Sequence, residues 1–262
     1  MRRHARALVS GGAMLGGAAL ARGRIAAGRR PRFSGAWSSR DAALAALPPE
    51  ERRGYDAPSV AEVSFAAMCA MEVWDYPVLH WLYRLLPGAP RLLDAGGHMG
   101  TKRIAFAPHL PLDGVAWTVL DTPAIAAAGR AARMAGRVPA DLAFCDRAED
   151  TPGADILLAS GLLQYLDRPL TELVEALPVR PKHIVLNKVA TRDGPEVVTH
   201  ERLDRVRVPY RIRDRAAWER ELAALGYVLR DAWTVPALGH RIPTHPWLGL
   251  STSRGYVLSD AS

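Results

Sequence analysis

Short apolar runs alternate with amphipathic stretches between about residue 89 and residue 189. The apolar runs predict five β-strands, which lie at 91–95, 115–121, 142–146, 155–160 and 183–189. The stretches between them predict helices. In one of these, Thr122 is suited to the N-cap, Pro123 to the first helical position and Gly136 to the end. Such alternation predicts a parallel sheet with helices on both faces.

The pattern changes towards the end of the chain. An amphipathic helix is predicted at 213–227, with Trp218 and Leu222 on its apolar face. Two further strands, at 227–235 and 254–259, follow with no helix between them, which predicts a hairpin at one edge of the sheet. The predicted fold class is therefore α/β, with a mostly parallel, Rossmann-like sheet whose last strand is antiparallel.

The first third of the chain has no such alternation. Residues 60–74 are apolar on nearly all sides and predict a buried helix, and Pro77 begins a second helix. We therefore expect three segments. These are a basic, mobile segment at 1–32, a helical cap at 33–88 and a sheet domain at 89–262.

Residues 1–32 contain eight arginines and no acidic residue. Residues 7–20 resemble the core of a signal peptide, but they are rich in glycine and positive charge resumes directly after them. The stretch is also too short to span a bilayer. We predict a small-residue helix that is mobile or rests weakly on a membrane surface, in a cytoplasmic protein.

The net charge of +7 owes much to that segment, and the rest of the chain is nearly neutral. No basic stripe interleaved with aromatic residues occurs, which disfavours nucleic acid as the main partner. Cys69 and Cys145 are distant from each other, so we expect buried thiols in a reducing compartment and neither a disulfide nor a metal site. The pattern does not determine the oligomeric state.

The segment RLLDAGGHMGT places a strand directly before a glycine-rich turn. The dinucleotide fingerprint G-x-G-x-x-G would need glycine in place of Ala95, and Asp94 would repel a pyrophosphate. A cofactor with a cationic amine would instead be attracted by Asp94. The turn therefore favours S-adenosylmethionine over NAD, with Gly96, Gly97 and Gly100 letting the backbone approach it. A turn that binds no ligand is the alternative.

Acidic residues also end the next two strands. The Asp121 carboxylate can accept hydrogen bonds from both hydroxyls of a ribose, and Asp146 can bind the amino group of adenine. Ligands of open parallel sheets bind at the carboxyl ends of the strands. We predict a cofactor site there that also includes Thr122 and Ser160, which follow the second strand and end the fourth.

The motifs LLDAGGHMG, WTVLDTP, FCD and DILLASGLLQYL resemble the successive motifs of class I S-adenosylmethionine-dependent methyltransferases. More narrowly, FSGAWSS, GYDAP, YPVLHWL, LLQYLDRP, VPYRI and LGYVL are similar to a family of bacterial methyltransferases often found in gene clusters for surface polysaccharides and other glycans. The resemblance spans residues 33–258. It implies the class I methyltransferase fold, S-adenosylmethionine as cofactor and a glycan-related or other small-molecule acceptor.

Four residues are candidates for catalysis. The O-methyltransferase branch of this superfamily has a histidine base after the fourth strand, and Gln164 occupies its position here. An amide does not accept protons usefully, so that mechanism is not transferred. Gln164 and Tyr165 are expected to face the methyl group or the acceptor. Lys188 can hold an anionic acceptor, His200 is a candidate base, and His98 is expected to border the methionine end of the cofactor.

His240 and His245 lie in the proline-rich loop between the last two strands, which can form a substrate lid. We predict an enzyme that transfers a methyl group from S-adenosylmethionine, first of all to oxygen, onto a glycan-related or other small-molecule acceptor. The alternative is a catalytically silent protein that keeps the fold as a scaffold in a biosynthetic pathway. The missing histidine base favours this alternative, and the three aspartates oppose it.

Overall fold

A computed structural model of the chain describes residues 2–28, 31–52, 65–203 and 206–260. The chain forms two compact units. The larger unit comprises Tyr55–Val189, Ala216–Val235 and Ser253–Ser262, and the smaller unit comprises Met1–Gly54, Ala190–Arg215 and Pro236–Thr252. This division differs from the predicted segments, because the expected cap at 33–88 is shared between the two units.

The secondary structure of the described residues follows the predicted alternation between residues 91 and 189, and two strands that the pattern does not predict follow at 197–203 and 206–214. In chain order the elements are α1 (Arg2–Ala26), β1 (Phe33–Trp37), α2 (Arg40–Ala45), α3 (Phe65–Met68), α4 (Tyr76–Leu85), β2 (Arg91–Ala95), α5 (Thr101–Phe106), β3 (Ala116–Leu120), α6 (Pro123–Met134), β4 (Ala143–Cys145), β5 (Ile156–Ser160), α7 (Leu170–Glu175), β6 (His183–Arg192), β7 (Val197–Leu203), β8 (Val206–Asp214), α8 (Arg215–Ala224), β9 (Val228–Val235) and β10 (Thr252–Ser259).

The larger unit is built on a sheet with the strand order β4-β3-β2-β5-β6-β10-β9. The pairs β2–β3, β2–β5, β3–β4 and β5–β6 are parallel. The last strand, β10, runs antiparallel to β9. The five predicted strands and the closing hairpin are all present, so the predicted mostly parallel sheet with an antiparallel last strand is confirmed.

Both faces of this sheet are covered by apolar side chains. Successive residues of a strand point to opposite faces, so Leu92 packs in one cluster with Trp117 and Phe106, and Leu93 packs in another with Trp218. Burial on both faces explains why these strands are nearly continuous apolar runs in the sequence. Access to the sheet is left at the ends of its strands.

The predicted buried helix at 60–74 is wrong over its described part. Only Phe65–Met68 is α-helical, none of these residues is buried, and a short 3₁₀ helix follows at Val73–Asp75. Residues 60–64 lie outside the described residues. Ala67 and Met68 line a cavity, so the apolar pattern of this segment does not mark a helix buried in the core.

The smaller unit contains an antiparallel sheet in which β7 pairs with both β1 and β8. The sequence pattern predicts neither β1 nor the β7–β8 hairpin. The reason is that β7 buries Thr199, His200 and Glu201, so its buried residues do not alternate as apolar and polar. The buried Glu201 carboxylate is paired with Arg32, whose Nη2 lies 2.7 Å from Oε1.

The helix expected near the start of the chain is present as α1, a helix of 25 residues. Its second half packs on the rest of the smaller unit. Ala18 is buried, and the Arg22 guanidinium donates to the Thr244 carbonyl at 3.2 Å. Across the described ranges, no helix is both long enough and apolar enough to cross a membrane.

Candidate functional site

The glycine turn after β2 is a sharply bent stretch of backbone. Gly96 and Gly100 have φ angles of +72° and +81°. Glycine adopts this left-handed conformation without the steric cost that a Cβ brings. Gly97 is required for a different reason, since a Cβ on it would lie 2.5 Å from the carboxyl group of Asp94. The turn therefore passes close to the end of β2, and a ligand can contact its backbone without meeting a side chain at the glycines.

Asp121 fixes this turn to the end of β3. Its Oδ2 accepts the backbone N–H of His98 at 2.9 Å, and its Oδ1 accepts that of Thr122 at 2.8 Å. A carboxylate oxygen can accept more than one hydrogen bond, so this role in the turn is compatible with contact to a ligand. His98 itself has a φ of +56°. A strained backbone at a residue other than glycine is typical of functional sites, and here the hydrogen bond to Asp121 holds it.

A first cavity of about 460 Å³ opens beside Asp121, a volume within the range of small-molecule sites. Four of the predicted cofactor-binding residues line it: Gly96, Asp121, Thr122 and Asp146. The Thr122 hydroxyl is buried and has no hydrogen-bond partner among the described residues. A buried hydroxyl without a partner is costly, so this position suits a ligand with a polar group.

Asp146 is positioned by α6. Arg130 contacts its Oδ2 through Nη2 at 3.2 Å, and donates through Nη1 to the carbonyl of Phe144, also at 3.2 Å. The helix can approach β4 because Gly129 has no side chain, and a Cβ there would lie 2.4 Å from the Phe144 ring. The carboxylate of Asp146 is thus oriented at the strand end.

A second cavity, of about 220 Å³, shares Gly96 with the first. Five of the predicted site residues line it, namely Asp94, Gly96, Gly97, Ser160 and Lys188. The cavity therefore combines one carboxyl group, one hydroxyl group and one amine from the sequence prediction.

Asp94 is buried, and its Oδ2 accepts a hydrogen bond from the indole N–H of Trp117 at 3.3 Å. Burial raises the pKa of this carboxyl group to about 7, while the Trp117 hydrogen bond and the charge of Lys102 act in the opposite direction. A cation bound in the second cavity would favour the ionised form. The position thus suits a positively charged group.

A buried ion pair also borders the second cavity, and sequence reasoning missed it. Lys102, in the first turn of α5, donates to the Asp75 carboxylate at 2.7 Å. The same oxygen accepts the backbone N–H of Glu72 at 3.1 Å. Removing one member of such a pair leaves an uncompensated buried charge, so the pair holds the segment around Asp75 at the cavity. No local pattern marks this pair, because Lys102 is one of two adjacent basic residues in a short helix and Asp75 lies 27 positions away.

Asn187 anchors the same segment to the middle of β6. Its Nδ2 donates to the carbonyl of Trp74 at 3.0 Å, and its Oδ1 accepts from the indole N–H of Trp233 at 3.3 Å. Trp74 thereby becomes part of the wall of the second cavity. Sequence reasoning did not single out Trp74, because its position depends on contacts with residues more than 100 positions away.

Gln164 and Lys188 lie close together beside Gly161. Lys188 Nζ and Gln164 Nε2 are 3.3 Å and 3.7 Å from the point at which a Cβ on Gly161 would lie. Gln164 is buried, and its Oε1 has no hydrogen-bond partner among the described residues. Burial lowers the pKa of the Lys188 ammonium to about 8, as does the charge of Lys102, whereas the nearby carboxylates, Asp94 among them, act in the opposite direction. Neither Gln164 nor the half-buried Tyr165 is among the residues that line the two cavities.

His200 follows the fifth predicted strand in the sequence and belongs to a further strand, β7, that the sequence pattern does not predict. It is buried within β7 of the smaller unit, where its Nε2 lies 2.8 Å from the Ala43 carbonyl and its ring packs on Trp37. Burial lowers the pKa of its imidazole. His200 lines neither cavity and packs within the smaller unit.

Two solved structures are similar to this chain in fold. One is the 1,6-didemethyltoxoflavin-N1-methyltransferase of Burkholderia thailandensis, crystallised with 1,6-didemethyltoxoflavin and S-adenosylhomocysteine. It matches with a TM-score of 0.51 and 19% identity over 82% of this chain and 92% of its own. The other is human N-acetylserotonin methyltransferase in complex with SAM, with a TM-score of 0.51 and 15% identity over 82% of this chain and 61% of its own.

At these identities the comparison shows the fold alone, and the fold is that of class I methyltransferases. No protein-family model and no curated protein matches the chain. The predicted fold is thereby confirmed, and the chemistry has to be argued from the residues at the two cavities.

Proposed function

We propose that the chain is an S-adenosylmethionine-dependent methyltransferase that transfers a methyl group to oxygen on a glycan-related or other small-molecule acceptor. One observation carries this proposal. Asp94, Asp121 and Asp146, from three successive strands, line two cavities that adjoin at the glycine turn. The likeness in fold to two solved methyltransferases supports it.

The residues of the two cavities suit the parts of S-adenosylmethionine. In the first cavity Asp121 would accept from the ribose hydroxyls and Asp146 from the adenine amino group, with Leu162 and Leu166 as apolar wall. In the second, Asp94 would face the cationic amine. The backbone of the glycine turn would lie against the cofactor between the two cavities.

Other predicted residues keep supporting roles in this proposal. The Thr122 hydroxyl would gain a partner from the ligand, since it has none among the described residues. Ser160 would contact the cofactor from the end of β5, where it lines the second cavity. Through its backbone N–H, His98 holds the Asp121 carboxylate in place. Gly100 allows the left-handed turn that begins α5.

When bound, the cofactor supplies a methyl group on a positively charged sulfur. Methyl transfer is an in-line displacement, so the protein mainly positions the acceptor and excludes water. We assign this positioning to Gln164 and Tyr165, which follow β5. Trp74 and Met68 line the second cavity and would exclude water from it. His200 has no part in this proposal.

Calorimetric titration with S-adenosylhomocysteine tests the proposal. We expect a sub-millimolar dissociation constant, and an Asp121→Ala variant that binds about 1–3 kcal/mol more weakly, because a hydrogen-bonded carboxylate is lost. Asp141→Ala is the matched control, since Asp141 is paired with Arg103 and lines neither cavity. Failure of the wild-type chain to bind would overturn the proposal, and unchanged affinity of Asp121→Ala would remove Asp121 from the site.

A catalytically silent scaffold is the second candidate, favoured by Gln164 at the position of a histidine base. Turnover separates the two. S-adenosylhomocysteine should accumulate when the chain is incubated with S-adenosylmethionine and a panel of sugars, glycosides and small acids. Cofactor binding with no product from any member of the panel would favour the scaffold.

For its location, we propose a cytoplasmic protein whose smaller unit associates weakly with an anionic lipid surface. Both cysteines are free, which suits a reducing compartment. Residues 1–32 carry eight arginines and no acid. Trp247 and Leu250 of the same unit are 47% and 53% exposed. Exposed apolar side chains together with a cationic helix are typical of proteins that bind at membrane surfaces.

A further inference from the structure

Lys188 combines a strained backbone with a charge that nothing in contact neutralises. Its φ of +59° is left-handed, which is uncommon for a residue with a side chain. It lines the second cavity, and within the described part of the chain it has no hydrogen bond and no ion pair. A strained backbone and an unpaired charge both destabilise the folded protein. They are found mainly at functional sites, where a bound ligand can compensate for them.

The charges of Asp75, Asp94 and Glu72 favour the ionised form of Lys188, but none of these carboxylates forms an ion pair with it. The Lys102 ammonium is paired with Asp75 at 2.7 Å. Asp94 accepts from the Trp117 indole and makes no ion pair with Lys188, and Glu72 is exposed at the cavity edge. Lys188 is therefore the cation in this cavity that lacks an anion in contact with it.

A second hydrogen-bond donor lies next to Lys188. Lys188 Nζ and Gln164 Nε2 are both within 4 Å of the point where a Cβ on Gly161 would lie, and Gly161 has a φ of +86°. A Cβ on Gly161 would lie 3.1 Å from Lys188 Cε, so glycine at this position lets the lysine side chain pack close to the backbone. Two donors, one of them charged, suit the two oxygens of a carboxylate.

We propose that Lys188 and Gln164 bind the carboxylate group of the methyl acceptor, so that the substrate class is carboxylic acids and the product is a methyl ester. This inference rests on the proposed methyltransferase function. A carboxylic acid is already ionised at neutral pH and needs no general base. That accounts for an amide at Gln164, where a hydroxyl acceptor would call for a histidine.

The transfer balances without a proton acceptor. One carboxylate oxygen forms the new bond to the methyl carbon, while the bond between that carbon and sulfur breaks. The electron pair of the broken bond stays on sulfur. The negative charge of the acceptor and the positive charge of the sulfonium are both lost, and no proton moves. Lys188 holds the carboxylate in position and is neither proton donor nor proton acceptor.

Calorimetric titration of the full chain with benzoate tests the carboxylate site, both with and without saturating S-adenosylhomocysteine. We expect benzoate to bind, and its neutral analogue benzamide to bind at least tenfold more weakly. Lys188→Met should weaken benzoate binding at least tenfold, whereas Lys188→Arg, which keeps the charge, should stay within about threefold. Lys182→Met is the matched control, because Lys182 is an exposed lysine that precedes β6 and lines neither cavity.

S-adenosylhomocysteine affinity, measured in the same variants, separates two sources of a carboxylate. We expect it to change by less than twofold in Lys188→Met. If it falls tenfold while benzoate binding is retained, Lys188 binds the carboxylate of the cofactor and the inference is overturned. Benzoate binding that is unaffected by Lys188→Met overturns it too. Benzoate binding that depends on Lys188 in a chain that does not bind S-adenosylhomocysteine would refute the methyltransferase proposal and leave the anion site standing.

Discussion

Burial raises the pKa of the Asp94 carboxyl group, so that it is partly protonated at neutral pH. Desolvation raises its pKa to about 7, against the indole hydrogen bond of Trp117 and the charge of Lys102. The proposed cofactor carries an ammonium group that attracts the ionised carboxylate and would lower this pKa. Binding of the ammonium group and ionisation of Asp94 are therefore linked.

This linkage predicts that S-adenosylhomocysteine binds more weakly as the pH falls. A group with a pKa near 7 is mostly protonated at pH 6, so the affinity should drop about tenfold between pH 8 and pH 6. Asp94→Asn cannot ionise, and its affinity should be lower but nearly independent of pH over this range. Calorimetry at four or five pH values checks the prediction, and an equal slope in the wild type and in Asp94→Asn would contradict it.

The site residues that the sequence revealed are those whose role follows from a local pattern. Asp94 and Gly97 are three positions apart, and their relation is fixed by the turn itself. Asp121 could be placed because it directly follows an apolar run that ends at the same sheet edge. The Lys102–Asp75 pair could not be placed, since its two members are 27 positions apart and meet only once the segment around Trp74 has packed.

Among the elements, the strands buried on both faces were predictable, and those of the smaller unit were not. A strand such as β5 is a nearly continuous apolar run because helices cover both sides of the sheet. β7 instead buries polar side chains that are satisfied by specific partners, as His200 is by the Ala43 carbonyl. Because the buried residues of β7 are partly polar, its sequence does not show the alternation of apolar and polar residues that would predict a strand.

The loop between β9 and β10 contributes a half-buried histidine to the smaller unit. The His240 ring lies 4.5 Å from the ring of Phe33 and 6.0 Å from that of Tyr210, measured between centroids. Burial lowers its pKa to about 4, and the charge of Arg32 acts in the same direction. His240 thus packs as a neutral ring against two aromatic residues, which places it in the core of the smaller unit.

His240 makes the stability of the folded chain depend on pH. Its folded-state pKa lies below the ordinary value of 6.5, so its contribution is full above pH 6.5 and is lost as the pH falls towards 4. Between pH 7.5 and pH 5 we expect a loss of about 1–2 kcal/mol from this group. His240→Phe should reduce the pH dependence of the unfolding midpoint, while His109→Gln, at an exposed histidine, should not. Equal pH dependence in the wild type and His240→Phe would contradict the prediction.

At the scale of the whole molecule, the two units differ in how closely the order of elements along the chain predicts which elements pack together. The sheet of the larger unit follows the sequence with one strand after each helix, so its topology could be predicted from the alternation. The smaller unit is assembled from three separate stretches of chain. The sequence pattern does not indicate that residues 31–52 pack with residues 190–215. Their association depends on long-range backbone hydrogen bonds, such as those between β1 and β7.

The charge of the whole molecule leads to the remaining prediction. An excess of arginine at one end of the chain gives long-range attraction to anionic lipid, worth about 1 kcal/mol for each residue close to the surface. The full chain should therefore sediment with vesicles that contain phosphatidylglycerol at low salt, and not with vesicles of phosphatidylcholine alone. Replacing Arg2, Arg3 and Arg6 with glutamine should weaken this binding at least tenfold, since three charges are removed.

The matched control replaces three exposed arginines of the larger unit, Arg137, Arg220 and Arg230, with glutamine. This variant has the same net charge as the first, so the two differ only in where charge is removed. Equal loss of binding in both variants would mean that net charge alone attracts the chain to lipid, and would contradict a specific role for residues 1–32. Binding that survives 0.5 M salt would instead indicate that apolar side chains such as Trp247 insert into the lipid surface, because Coulomb attraction is screened at that ionic strength.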